Sequence, residues 1–158
     1  MPKDRSTPPN DLKMTSEEDN SGSVVFAFAD KWKDPLVAGE VKVFFRKRGP
    51  TKAPKYVYAY VSLPTSSIIG RARVLSLEKL SVGEALLLSE KGKISREELG
   101  GYARGSYELC VIRIGSFQQA KTPIGLAQLK TDFACLPPQN FFFLSKKGKA
   151  ALDEIAGF

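Results

Sequence analysis

The sequence predicts a small α+β domain in which five or six strands form a barrel-like sheet flanked by short helices. Three observations lead there. The chain has 158 residues, 42% of them apolar, which suits one core and leaves little for a second. Its apolar residues fall in short runs, several of which alternate with polar residues at the period of a pleated strand. Short helical signals separate these runs without the regular rhythm of βαβ units. The sequence shows no internal repeat.

The elements follow in order. Residues 24–28 are a run of strand formers. Asp30 is placed to cap a helix that carries Trp32 and Leu36 on one face. Pro35 keeps that helix short or kinked, and Gly39 suits its end. VKVFFRKR reads as a strand, broken by the loop GPTKAP. Residues 55–63 alternate, with Tyr56, Tyr58, Tyr60 and Ser62 on one face and Val57, Ala59, Val61 and Leu63 on the other. Aromatic residues at every second position are what a half-buried strand prefers, so the tyrosine face reads as structural. Pro64 ends the strand, and 68–77 forms another.

Residues 82–89 fit one or two helical turns. Ser95 and Glu98 form a capping box that starts a helix running to about Tyr102, weakened by Gly100 and Gly101. Residues 107–117 carry apolar side chains on both faces, as a central strand does. Pro123 opens a short helix containing Leu126 and Leu129. Residues 140–144 form the last strand after Pro137 and Pro138, and KKGKAALDEIAGF a final helix.

Charge is unevenly distributed. Residues 1–23 carry three basic and five acidic side chains, no aromatic residue and a Pro-Pro pair. Such a segment buries too little apolar surface to offset an ordering entropy of roughly 1–2 kcal/mol per residue. It is expected to be a disordered acidic tail, with the folded body spanning 24–158. That body carries 21 basic and 12 acidic residues. Its excess positive charge attracts polyanions such as nucleic acid, and equally serves solubility.

Composition excludes several classes. Histidine is absent, which removes the commonest general base and zinc ligand. Cys110 and Cys135 are too few for a Cys-rich metal site and lack a CxxC context, so both read as reduced, inert thiols. No metal or cofactor is expected. No apolar run approaches the roughly 20 residues of a membrane span, and no polybasic run suits a membrane anchor. The first residues lack the apolar core of a secretory signal, and a cytoplasmic location is expected.

The most informative stretch is 42–48. Regular pleating puts Lys42, Phe44, Arg46 and Arg48 on one face. Cations fix phosphates, and a ring stacks on a base for about 1–3 kcal/mol. Phe44 could instead join the core, and Arg46 could pair an internal carboxylate. Ser62, beside Pro64, is placed to hydrogen-bond a guest. Gln139 and Asn140 could read a base edge or cap a turn.

Four blocks of the sequence resemble the ASCH domain, a member of the PUA-like superfamily. They are LVAGEVKVFFRKR at 36–48, YVYAYVSLPTSSIIGRARV at 56–74, ISREELGGYARGSYELCVIRI at 94–114 and LPPQNFFFL at 136–144. With their spacers they cover nearly all of 24–145. The resemblance implies a PUA-like β-barrel with flanking helices, a cleft on one side, and RNA binding. It places Ser62, Ser66, Ser67 and Arg71 on the cleft wall. The family pattern Gly-x-Lys-x-x-Glu-x-Arg is met at Gly39 and Arg46, but Val41 stands at the lysine place and Phe44 at the glutamate place. Phenylalanine neither transfers protons nor activates a nucleophile, although it can still stack.

The expected function is therefore an RNA or single-stranded nucleic-acid binding module. Its candidate residues are Gly39, Lys42, Phe44, Arg46, Arg48, Ser62, Arg71 and Gln139. Two other classes stay open. One is a hydrolase acting on RNA or a modified nucleoside, with Lys42, Tyr58, Glu40 or Glu108 as acid–base groups. The other is a protein-interaction module in a transcription or translation complex.

Overall fold

The computed structural model describes residues 19–133 and 140–158. The first strand, β1 (Asn20–Phe28), begins four residues ahead of the expected boundary. A 3-10 turn (Asp30–Trp32) leads into α1 (Lys33–Val37). Then come β2 (Val43–Arg46), β3 (Tyr56–Val61) and β4 (Ser67–Ser81). Helices α2 (Val82–Leu86) and α3 (Arg96–Tyr102) separate β4 from β5 (Glu108–Gly125). The chain closes with α4 (Leu126–Phe133), β6 (Phe141–Ser145) and α5 (Lys146–Ala156). Among the described residues no helix is long and apolar enough to cross a membrane.

The six strands form one sheet in the order β2-β5-β4-β3-β1-β6. Only β1 and β3 run parallel; the other neighbours are antiparallel. Period-2 alternation distributes the side chains. Val24, Phe26 and Phe28 of β1, Val57, Ala59 and Val61 of β3, and Cys110, Ile112 and Ile114 of β5 fill one core beneath α1. The intervening Val25, Tyr58 and Tyr60 face the opposite side, against α4 and α5. At the other end of that side, Val43, Phe45, Leu109 and Val111 pack with α2 and α3. The tyrosine face of β3 is thus core, as its aromatic alternation indicates.

The sheet is open, which corrects the expected barrel. β2 forms ladder bonds only with β5, over Val43 to Arg46. It is too short to continue, because Gly49 and Pro50 follow and proline cannot donate to a ladder. Side chains bridge the gap that remains between β2 and β1. Arg46 donates from Nη2 to the Ala27 carbonyl at 2.6 Å. Asn140, just before β6, donates from Nδ2 to the Arg48 carbonyl at 3.1 Å. The result is a curled sheet with a pinned seam.

Three local readings change. Asp30 is not a cap; its carboxylate accepts from Thr65 Oγ1 at 2.6 Å. Pro123 lies inside β5, where pairing to β4 jumps from Gln119 to Ile124, so its missing N–H costs no ladder bond there. The complete capping box sits at Ser81 and Glu84. At Ser95 only the Glu98 N–H to Ser95 Oγ half is made, at 3.0 Å.

Replacing Arg46 by Met removes the pin and leaves the Ala27 and Phe45 carbonyls without their donor. We expect this to lower the unfolding free energy by about 2–4 kcal/mol, read as an earlier urea midpoint. An unchanged midpoint would show that the seam holds without Arg46.

Candidate nucleic-acid interface

The seam widens into a cavity of about 700 Å³ between β1, β2 and α3. Phe28, Leu36, Val41 and Phe44 make an apolar floor, all of them buried. Trp32 and Tyr102 stand on its walls, brought there by the 3-10 turn and the last turn of α3. Four cations, Lys31, Arg46, Lys47 and Arg48, line it with a single carboxylate, Glu98, among the described residues. The cavity is therefore apolar at its base and positive around its opening.

Arg46 is the most constrained of these groups. Its Nη1 donates to the Phe45 carbonyl at 2.8 Å and its Nη2 to Ala27. Its Cζ lies 5.3, 4.8 and 5.0 Å from the ring centres of Phe26, Phe28 and Phe44. Burial pulls its pKa down to about 10, so it stays cationic at neutral pH. Among the described residues no carboxylate forms an ion pair with it. The remaining cations sit nearer solvent. Lys47 donates its backbone N–H to Tyr102 Oη at 3.0 Å and holds Nζ 5.3 Å from that ring. Lys31 contacts the Glu98 carboxylate and lies 5.1 Å from the Trp32 ring.

Of the residues singled out from sequence, Phe44, Arg46 and Arg48 line the cavity. Phe44 is only 5% exposed and packs edge-on against Phe26 and Phe28, so it is a core residue whose ring also floors the cavity. Gly39, Lys42, Ser62 and Arg71 lie elsewhere. Gly39 ends α1 with φ of 74°, its N–H donating to the Leu36 carbonyl at 3.0 Å. Lys42 precedes the strand, exposed, and its main chain bonds Lys91 and Ile114. Regular pleating does not extend back to it, since Val41 and Phe44 share one core. Ser62 follows β3, its N–H donating to the Phe28 carbonyl. Gln139 and Cys135 lie outside the described residues.

Arg71 belongs to a cluster on the opposite side of the sheet. It donates to Gln118 Oε1 at 2.9 Å and to Tyr58 Oη at 3.1 Å, and pairs with Asp153 at 3.4 Å. Its Cζ sits 4.3 Å from the Tyr56 ring and 4.5 Å from that of Phe158. Tyr58 in turn donates to Asp153 Oδ1 at 2.6 Å. This network fastens α5 to the sheet. The acid–base candidates do not converge either. Tyr58 is fully buried there, Glu40 lies 3.9 Å from Lys93, and Glu108 is exposed at the start of β5. Cys110 is buried against Gly49, and burial pushes its thiol up, away from reactivity.

Lys31, Trp32, Lys47, Glu98 and Tyr102 line the cavity without having been singled out as site residues. Two signals pointed to them. Glu98 and Tyr102 are four residues apart on one helix face, and Lys31 adjoins the only tryptophan of the chain.

These features fix the fold: the chain is folded like the ASCH domain, an α+β architecture with an open sheet. The ASCH protein of Zymomonas mobilis is 24% identical, with a TM-score of 0.79 over 85% of this chain and 95% of that one. A single-residue variant of it gives 0.78 at 23% identity, over 85% and 98% of the two chains. The N-terminal domain of Staphylothermus marinus McrB is 11% identical with a TM-score of 0.56, over 90% of this chain and 98% of that one. No protein-family model and no curated protein matches the sequence. At such identities the likeness establishes the fold.

Burial and the bond to Asp153 raise the Tyr58 pKa well above the ordinary value near 10. Its neutral form thus stabilises the fold fully below about pH 10, and that contribution is lost as pH climbs through the raised folded value. Thermal melts should show wild type losing stability above pH 10 more steeply than Tyr58→Phe. Parallel curves would contradict the assignment.

Proposed function

We propose that this chain is a nucleic-acid-binding module for single-stranded RNA, and that the cavity at the seam receives a base together with its phosphate. The observation that carries this reading is the convergence of Trp32, Tyr102 and four cations on one opening of about 700 Å³. That volume falls in the range of ligand pockets, about 300–1,000 Å³. A base stacks on an exposed ring because every base has a π-face. Lys47 and Arg48, both exposed, hold phosphate. Arg46 keeps further N–H donors beyond the two bound to carbonyls. Unpaired bases fit such a cavity, whereas duplex bases are stacked away from it.

Phe44 explains why binding is favoured over chemistry. It stands where the resembling family carries a glutamate, and here it is part of an aromatic floor. Among the described residues Glu98 is the single acid lining the cavity, with no second carboxylate and no histidine beside it.

Fluorescence anisotropy with a labelled single-stranded hexaribonucleotide tests the proposal. Affinity should fall with salt, with a log–log slope of about −0.7 per phosphate neutralised. A Lys47→Ala, Arg48→Ala double variant should flatten the slope by about 1.4. Trp32→Ala should weaken binding roughly 5- to 150-fold and leave the slope in place. Absence of binding at low salt overturns the reading.

A further inference from the structure

We infer that the Lys31–Glu98 pair is a guanine-reading device at the mouth of the cavity. The inference rests on the proposal that this cavity binds a base, and it names the base.

The pair joins two separate elements. Lys31 lies in the turn before α1 and Glu98 in the first turn of α3, and both line the cavity. Their side chains are 52% and 49% exposed, so a guest can reach them. Each has a ring as neighbour: Trp32 adjoins Lys31, and Tyr102, 39% exposed, lies one helical turn beyond Glu98. A base that stacks on either ring takes the place of the ammonium now over it, Lys31 on Trp32 or Lys47 on Tyr102, and so enters beside the pair.

The chemistry of that pair is directional. An ammonium beside a carboxylate offers one donor followed by two acceptor oxygens. The Watson–Crick edge of guanine carries the complement in the same order: the O6 acceptor, the N1–H donor and the N2–H donor. Lys31 donates to O6, and Glu98 accepts from N1–H and N2–H as a bidentate, charge-assisted contact. Uracil matches the first two positions only. Adenine and cytosine lead with a donor and must turn over to accept from the ammonium, which leaves them one contact to each partner and so one fewer than guanine.

A second observation sets Glu98 apart. Ser81 with Glu84 and Ser95 with Glu98 are the same motif at the starts of two helices. Glu84 makes the reciprocal bond to its cap, Ser81 N–H to Oε1 at 3.1 Å. Glu98 does not; its carboxylate is turned to Lys31 across the cavity.

The test uses the full chain and a pentariboadenylate whose central base is adenine, guanine, inosine, cytosine or uracil, read by anisotropy at low salt. Inosine keeps O6 and N1–H and lacks only the N2 amino group. Guanine should bind tightest, at least about fivefold over inosine and over each of the other bases. Glu98→Gln should erase the guanine-over-inosine ratio while the adenine oligomer still binds, which also shows that the variant is folded. Lys31→Met should weaken guanine and inosine alike and leave their ratio intact. Equal affinity for all five, or an unchanged ratio in Glu98→Gln, overturns guanine reading while leaving RNA binding in place. If no oligomer binds wild type, the base-binding reading falls and this inference with it.

Discussion

The guanidinium of Arg46 joins two strands that the sheet does not pair. β2 ends after four residues, and its free edge faces the end of β1 across a seam. Two hydrogen bonds to carbonyls and three aromatic rings hold the cation in place. A half-buried cation needs such partners, because removing it from water is otherwise costly. A carboxylate partner would have neutralised it. Carbonyls and ring faces satisfy it while leaving its charge in the cavity.

The character of the cavity follows from that arrangement. Phe44 serves the core and the cavity at once, because the seam lets the inner face of the sheet approach solvent. The apolar floor is thus continuous with the main core, and polar groups are confined to the rim. Rigidity comes from the sheet and adaptability from long, exposed side chains. On the other side of the sheet the Arg71 network anchors α5 and leaves that face structural.

Much of the fold was legible because the sheet obeys a period of two. The alternation of Val57, Ala59 and Val61 against Tyr58 and Tyr60 gives both faces of β3 correctly from sequence. The N-cap of α3 at Ser95 and the glycine stop after α1 were equally visible. Closure of the sheet was not, because it depends on how far β2 runs before Gly49 and Pro50, a matter of three-dimensional path. Pro123 misled for a similar reason: a bulge hides its missing donor, and a bulge has no one-letter signature.

The site was half legible. Phe44 and Arg46 follow from strand periodicity, whereas Lys42 precedes the pleat and Arg48 lines the cavity from beyond its end. The opposite wall comes from Glu98 and Tyr102 of α3, with Glu98 67 positions beyond Lys31, which no local pattern links to Trp32. Arg71, which the resemblance places on the cleft wall, lies on the opposite side of the sheet beside Asp153, a placement only the three-dimensional path reveals.

Trp32 is the only tryptophan of the chain and stands on the cavity wall, so its emission reports directly on occupancy. Titrating single-stranded RNA into the protein at low salt should quench that emission saturably, with added salt restoring it. Emission that stays constant while RNA binds elsewhere would contradict the account.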